Sequence, residues 1–396
     1  MPDEYAGTLR GMRILALVSE FPPFRGGIGT YAYAMAQAAT ELGAEVTVLA
    51  PDYGAPGQVD TEPFRLIRYA GGQHSARQSL AKLRLTWSAI HRPGPAFGIL
   101  HAMDWPFFIP VALCAGASQR RLFTLHGSEI SHMGTKPKRL AIAAAGVFSR
   151  RSDIVTNSAY TLARLRQHFP AITPRSLGYQ HLGVADSWRR QAERGPAARA
   201  RLGLPSDKFV LLTVARLTRR KGQLQIIESL RLLPEKVRHG LAYVMVGPEI
   251  DAAYVAEVDA AAVRSDVQVV RLSGIGPEAL LSVYANADAF CLVGQKMPDG
   301  ATEGFGLVFL EAAAQRLPVI AGAEGAVEEV VLHDRTGLIV PPSDGQALAE
   351  AITRLMTDPA CRERLANGAY ARAESLSWRR CAAYTYAQPP SPVDCH

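Results

Sequence analysis

One pattern restricts the fold more than any other feature, and the chain runs through it twice. Short apolar runs rich in branched residues each end in a turn and give way to a helix-forming stretch. In the first half these runs are Arg13–Val18, Glu45–Ala50, Gly98–His101, Arg121–Leu125 and Asp153–Ser158. After Pro205 the pattern restarts with Phe209–Ala215, Ala242–Val246, Val267–Leu272, Ala289–Val293, Pro318–Ala321 and Gly337–Val340. Strands that alternate with helices build parallel sheets covered on both faces. The expected class is therefore α/β, with two doubly wound domains, and 396 residues are enough for both cores.

Between the halves the character changes. Pro170, Pro174, Gly183, Pro196 and Pro205 punctuate the chain, and the charged run from Arg189 to Arg201 is expected to be mobile. The boundary is placed near 183–205, giving domains of 1–185 and 186–375. A last helix, about 376–388, is expected to pack back on the first domain. Residues 1–11 read as a frayed leader, 51–75 as loop and 388–396 as loose.

The chemistry concentrates after the Ala289–Val293 run, in Glu303-Gly304-Phe305-Gly306-Leu307-Val308-Phe309-Leu310-Glu311. From Leu307 the sequence reads as a buried helix, with Glu311 about one turn in and Glu303 in the feeding loop. A helix start exposes unpaired N–H groups and the positive end of a dipole, which together suit phosphate. Gly304 and Gly306 carry no Cβ and let the backbone approach a ligand. Glu311 can accept hydrogen bonds from a ribose diol and Glu303 from a second polyol. An anion joined to hydroxyls describes a sugar nucleotide. A buried helix with an acidic start fits the same residues without any ligand.

Other stretches fit one site or stand as ordinary loops. Gly26-Gly27-Ile28-Gly29 opens a helix directly after the first strand loop, without the G-x-G-x-x-G spacing of a dinucleotide site. His126-Gly127-Ser128-Glu129 leaves the Arg121–Leu125 strand at the end where such sheets bind ligands; His101 ends a strand in the same way. Arg216 and Lys221 leave the Phe209–Ala215 strand together, an arrangement that can counter phosphate charge. Gly247 follows the next strand.

Residues 1–185 hold 19 Lys and Arg against 11 Asp and Glu, whereas 186–396 hold 24 against 25. The basic half suits an anionic partner such as lipid headgroups. Its Ser79–His91 stretch places Leu80, Leu83, Trp87 and Ile90 on one stripe beside Arg77, Lys82, Arg84 and Arg92, which fits a membrane-surface helix or a core-packed one. No nucleic-acid motif appears, and no nucleic-acid partner is expected. Cys114, Cys291, Cys361, Cys381 and Cys395 form no C-x-x-C pair and read as reduced thiols. With no apolar leader and no run of transmembrane length, a cytoplasmic protein is expected, with peripheral contact at the inner face of the membrane.

Taken together, Gly26-Gly27-x-Gly29, His126-Gly127, Arg216 with Lys221-Gly222, Gly247, Glu303 to Glu311, Pro318-Val319 and Thr336 to Pro341 resemble the retaining glycosyltransferases of family 4. The His-Gly-x-Glu run and the basic first half are most similar to mannosyltransferases acting on phosphatidylinositol-type lipids. The resemblance implies two Rossmann-like domains facing a central cleft, the GT-B architecture. It implies transfer of a hexosyl group from a UDP- or GDP-sugar to an acceptor hydroxyl of a glycolipid, saccharide or small molecule. No cofactor is implied and no metal, in keeping with the missing Asp-x-Asp motif. By this likeness Arg216 and Lys221 neutralise the donor diphosphate, N–H groups near Phe305, Gly306 and Leu307 hold its distal phosphate, and Glu311 binds the ribose. Ile275 meets the base, Gly27 and Gly247 line the donor site, and Glu303 and His126 contact the reacting sugar. Three places depart from the family pattern: Val293-Gly294, Glu324 to Val327, and Leu182 before Gly183. The implied alternatives are a sugar-nucleotide epimerase of the same architecture or a non-catalytic binding subunit.

Overall fold

A computed structural model describes residues 5–24, 26–54, 61–70, 76–298 and 302–387. The expectations for residues 1–4, Arg25, Cys395 and the 388–396 end lie outside the described residues, as do parts of the 51–75 loop and the side chain of Arg77. The chain divides into two compact units, Met1–Gly183 with Ser377–His396, and Val184–Leu376.

The first unit carries seven parallel strands: β1 (Arg13–Leu17), β2 (Glu45–Asp52), β3 (Arg65–Ala70), β4 (Ile99–Ala102), β5 (Arg120–Leu125), β6 (Ser152–Thr156) and β7 (Ser176–Tyr179), in the order β3-β2-β1-β4-β5-β6-β7. The second carries six, all parallel: β8 (Phe209–Val214), β9 (Leu241–Val246), β10 (Gln268–Leu272), β11 (Ala289–Leu292), β12 (Val319–Gly322) and β13 (Gly337–Val340), in the order β10-β9-β8-β11-β12-β13. Each sheet reverses its winding once, between β1 and β4 and between β8 and β11. Crevices at such reversals, beyond the carboxyl ends of the strands, are where these sheets take ligands. Central strands β4, β9 and β11 are buried along their whole length, as helices on both faces require.

Four expectations need correction. The 51–75 segment contains strand β3, which pairs with β2 from Thr47↔Arg65 onward. The 170–205 segment contains β7, paired with β6. Both lie at sheet edges, where Arg65, Arg68, Ser176 and Gly178 interrupt the apolar run. The leader is tied down from residue 5 on: Leu9 is fully buried and its N–H donates to Leu42 O at 3.1 Å. The arginine run is pinned rather than mobile, with Arg199 on Asp288 at 2.7 Å, Arg194 on Gln315 O at 3.1 Å and Arg189 on Ala373 O at 3.0 Å.

The helix Trp378–Ala387 lies on the helix Gly27–Glu41. Arg379 pairs with Glu41 at 2.8 Å, and the Trp378 and Tyr31 rings stand 6.0 Å apart. A Cβ on Gly183 would come within 2.2 Å of Trp378 N, so the return crosses at a glycine. The helix Ala76–Ile90 splits its apolar stripe. Lys82, Thr86 and Ala89 face inward, while Leu80 and Trp87 are 67% and 56% exposed. Among the described residues no helix is long and apolar enough to cross a membrane. Cys114, Cys291, Cys361 and Cys381 are buried free thiols.

Asp153 in β6 has no exposed side-chain surface and binds Arg120 Nε at 2.5 Å, Arg175 Nε at 2.8 Å and Ser176 Oγ at 2.6 Å. Burial pushes this carboxyl upward, but hydrogen bonds from Arg175, Ser176 and Arg120 outweigh it and hold it below its ordinary value. The resulting stabilisation is present above the unfolded carboxylate pKa and is lost as pH falls through the folded one. Asp153→Ala leaves two arginines without their shared counter-charge. It is expected to cost about 3–5 kcal/mol at pH 7, read by denaturant unfolding, and the gap to wild type should narrow only below about pH 4.

Candidate active site

At the β8/β11 reversal of the second unit two loops meet. The loop from β8 carries Arg216 and then one 3-10 turn, Arg219–Lys221, closed by Gly222 at φ +75°. A Cβ there would lie 2.2 Å from Val293 O, at the exit of β11. Gln295 N donates to Arg220 O at 2.8 Å, so the two loops touch through backbone. The tight turn separates its side chains. Arg219 points out to Glu257, whereas Lys221 turns in and places Nζ 2.5 Å from Glu303 Oε2. Arg220 reaches the same oxygen at 3.4 Å and Thr302 O at 3.1 Å.

Glu303 and Lys221 are largely buried, at 14% and 12% side-chain exposure. Burial pushes the Glu303 carboxyl up, but the charges of Lys221 and Arg220 outweigh it, and the group stays below its usual range. The Lys221 ammonium is pushed down by burial, with Arg220 and Arg216 adding to the effect and Glu303 opposing it. Burial acts on both groups, with Lys221 and Arg220 crowding the carboxylate and Arg220 and Arg216 crowding the lysine. Arg216 is exposed and has no ion-pair partner among the described residues. The crevice therefore holds uncompensated positive charge.

The helix that follows, Leu307–Ala314, begins at Gly306 with φ +86° and no side chain capping its N–H groups. Phe305 is buried just ahead of it. Glu311, the fifth helical residue, accepts a hydrogen bond from Tyr284 Oη at 3.0 Å. Burial raises its carboxyl to about 7 against that bond. Tyr284 is itself wedged between Trp188 and Phe290, at ring distances of 5.3 and 5.9 Å. Gly247 closes β9, where a Cβ would meet Ala215 O at 2.1 Å. Ile275 is half-buried beyond the edge strand β10, two strands away from β8. Thus Lys221 and Glu303 come into direct contact and Arg216 within electrostatic reach of Lys221, while Glu311 is held separately by Tyr284.

In the first unit His126 leaves β5 beside its own support. Its Nε2 donates to Met103 O at 2.9 Å; a carbonyl only accepts, so the neutral ring keeps Nδ1 as its acceptor. Glu129 accepts from His126 N, and Asn157 Nδ2 donates to His126 O at 3.1 Å. The Tyr31 ring stands edge-on to His126 with centroids 4.7 Å apart. Tyr31 lies one turn beyond Gly27, so the helix that starts at the glycine turn leans on His126. A Cβ on Gly27 would meet nothing within 4 Å, which leaves open space in front of that turn. His101 is structural: it is fully buried, bonded to Tyr386 Oη at 2.9 Å and Thr124 Oγ1 at 2.8 Å, and driven down to about 3 by burial.

Sequence reasoning missed four contributors: Arg220, Tyr284, Tyr31 and Gly325. Gly325 has φ +72°, and a Cβ on it would lie 2.1 Å from Glu303 O; Ala326 N donates to that oxygen at 3.1 Å. The signal was present as a glycine retained in a loop that otherwise departs from the family pattern. Among the described residues no group of three His, Cys, Asp or Glu side chains is placed to hold a metal ion.

Two parallel α/β units, one with a cationic crevice against a helix start, define the glycosyltransferase class with GT-B architecture. Residues 25–187 match the model "Glycosyltransferase Family 4" and residues 196–372 match "Glycosyl transferases group 1". The chain belongs to the family-4 glycosyltransferases. It is 30% identical over 367 residues to a GDP-mannose-dependent alpha-(1-6)-phosphatidylinositol monomannoside mannosyltransferase of Mycolicibacterium smegmatis, covering 87% of this chain and 90% of that one. It is 28% identical to a D-inositol 3-phosphate glycosyltransferase of Streptomyces scabiei, covering 91% and 85%. Among solved structures it is similar to sucrose-phosphate synthase from Thermosynechococcus elongatus, with a TM-score of 0.76 at 23% identity over 94% and 96% of the two chains. Anabaena HepE in complex with UDP and glucose gives 0.74 at 19% identity over 94% and 97%.

Gly325→Ala is expected to push Glu303 out of register. Backbone strain of this kind costs on the order of 1–3 kcal/mol. Sugar transfer should fall by more than tenfold while circular dichroism stays that of the folded protein; near-normal turnover would show that Gly325 does not position Glu303.

Proposed function

We propose that the protein moves a hexosyl group, with retention and without a metal, from a UDP- or GDP-sugar to the hydroxyl of a lipid-linked or other small acceptor. The observation that carries this reading is the pairing of Lys221 and Arg220 with Glu303, with Arg216 in electrostatic reach of Lys221, beside the uncapped start of Leu307–Ala314. A diphosphate entering this crevice finds fixed cations and N–H dipoles already aimed at it. These stabilise the charge that grows on the leaving group as the glycosidic bond breaks. In this assignment Arg216 and Lys221 bind the diphosphate, and the backbone from Phe305 to Leu307 takes its distal phosphate. Glu311 binds the ribose, Ile275 the base, and Gly247 and Gly27 give room for close approach.

Glu303 is assigned to the donor sugar's hydroxyls. In the structure it is occupied by Lys221, and an incoming phosphate competes for that ammonium and frees carboxylate lone pairs for the sugar. His126 is assigned to the same sugar through Nδ1, the nitrogen left after Nε2 is committed to Met103 O. No side chain is assigned as a covalent nucleophile; the acceptor hydroxyl attacks from the side the diphosphate leaves. The GDP-mannose-dependent mannosyltransferase, the inositol 3-phosphate glycosyltransferase and the UDP complex among the similar proteins support a GDP-sugar or a UDP-sugar as donor and an inositol-containing or lipid-linked acceptor. Exposed Leu80 and Trp87 and the basic surplus of residues 1–185 support peripheral contact with the cytoplasmic face of an anionic membrane.

Donor-dependent sugar transfer insensitive to chelator is the defining test; formation of a donor epimer with no acceptor product would replace transfer by isomerisation. Glu303→Ala should abolish transfer with the fold intact. Lys221→Ala should weaken binding of nucleoside diphosphates at least tenfold more than that of free nucleosides, measured by calorimetry; equal losses would remove Lys221 from the phosphate site. Binding to anionic vesicles should be released by salt, since screening shortens the reach of surface charge, and Trp87→Ser with Leu80→Ser should weaken it further.

A further inference from the structure

The carboxyl of Glu311 has one side-chain partner among the described residues: Tyr284, whose Oη donates to Oε2 at 3.0 Å. Among the same residues no cation acts on it. The charged groups packed around its helix are engaged elsewhere. On the loop ahead of it, Glu303 is paired with Lys221 and Arg220. On the segment from 186 to 195, Arg189 is paired with Glu374 and Asp186, and Arg190 with Glu278. On the helix Pro359–Ser375, Arg372 donates to Glu329 O. Two influences therefore set the charge of Glu311. Burial raises it to about 7, and the Tyr284 bond, made to the ionised form, opposes that rise. Burial also holds the Tyr284 phenol well above its ordinary value, with the Glu311 charge adding to the effect, so the phenol stays protonated and remains the donor.

Tyr284 is held in place by a strap. Residues 186–195 cross the ends of two helices, the one that carries the phenol, Pro277–Ala285, and the one that carries the carboxylate, Leu307–Ala314. Asn286, just past the first, donates from Nδ2 to Glu193 O at 2.8 Å and accepts from Gly195 N at 3.0 Å. Gln315, just past the second, donates to Trp188 O and, at 3.2 Å, to Arg190 O. Trp188 lies edge-on to the Tyr284 ring, so the strap that joins the helices also backs the phenol. The second oxygen of Glu311, Oε1, has no hydrogen-bond partner among the described residues, and the side chain is only half-buried. An ionised carboxyl accepts at both oxygens, whereas the acid form spends one as a donor. A vicinal diol brings two donors.

We propose that Tyr284 is a positioning residue that keeps Glu311 ionised and directed at the nucleotide, and that it thereby sets a preference for ribose over deoxyribose. This rests on the assignment of Glu311 to the ribose. A sugar without the two hydroxyls leaves that carboxylate unpaired, which is the costly case.

The test uses the full chain with GDP, UDP and their 2′,3′-dideoxy forms, by calorimetry between pH 6 and pH 9. For whichever base binds more tightly, the ratio of ribose to dideoxyribose affinity cancels the titration of the phosphates. In wild type the ratio should be at least about tenfold at pH 8.5. It should fall as pH drops through about 7, because binding needs the carboxylate and the protonated form takes over below that value. Tyr284→Phe keeps the ring and removes the hydroxyl, which leaves burial unopposed. Its fall should be centred about one pH unit higher, and its ratio at pH 7.5 should be about threefold below wild type. Glu311→Gln should give a ratio that does not change with pH. A Tyr284→Phe ratio equal to wild type in size and midpoint, including equal losses with both sugars, would make Tyr284 a packing residue and overturn the inference while leaving Glu311 on the ribose. A midpoint retained in Glu311→Gln would place the titration on another group and overturn it as well. A wild-type ratio near one at every pH would instead remove Glu311 from the ribose, and the inference with it.

Discussion

The contact between Lys221 and Glu303 ties together the two strand exits on which the candidate site depends. Among the described residues neither loop has regular structure of its own beyond one short turn, and both leave strands where the sheet reverses. The ion pair crosses that reversal at 2.5 Å. Burying two charges costs more than one pair returns unless hydrogen bonds fill the remaining positions. Arg220 supplies one such contact, and the backbone carbonyls of Val293 and Glu303 press on Gly222 and Gly325 with no space for a Cβ. Two loops that appear irregular are thus fixed at four points.

The same arrangement explains why the site is built with too many cations. A single lysine and a single glutamate would neutralise each other and offer little to a ligand. With Arg216 and Arg220 added, the pair sits in a field that favours a further anion. The carboxylate holds Lys221 in position, and in the reading proposed above a diphosphate competes with it for that ammonium.

Legibility in the sequence followed burial. Strands covered on both faces, such as Leu241–Val246, are continuous apolar runs and could be read directly. β3 and β7 could not, because these edge strands carry the polar residues Arg65, Arg68 and Ser176, which look like loop in a sequence. The arginines from 189 to 201 read as mobile because their partners, Asp288, Gln315 and Ala373, lie about 90 to 180 residues away. The stripe on Ala76–Ile90 was legible as a pattern but not in what it faces, since Lys82 and Thr86 turn inward and Leu80 and Trp87 outward. At the site, charged residues after a strand and glycines before a helix could be read, because strand ends and helix starts are local features. Tyr284 under Glu311 and Tyr31 against His126 could not, since each is brought there by packing between elements distant in sequence.

The two sheets solve a similar problem with different outcomes. Each places a largely buried lysine and a carboxylate near its reversal: Lys221 with Glu303 in one, Lys82 with Asp104 in the other. In the second unit the lysine bonds its carboxylate directly and arginines surround them, so the field suits a compact, multiply charged group. In the first unit Ser19 bonds the carboxylate, and Lys82 stands at a cavity lined by Leu83, Phe108 and Ile109 together with Glu20 and Glu129. Burial raises that carboxyl to about 7, which leaves less negative charge near neutrality to offset the ammonium. The same pair of residue types is thus set differently by its walls, with arginines around it in one sheet and apolar side chains with charges of both signs in the other.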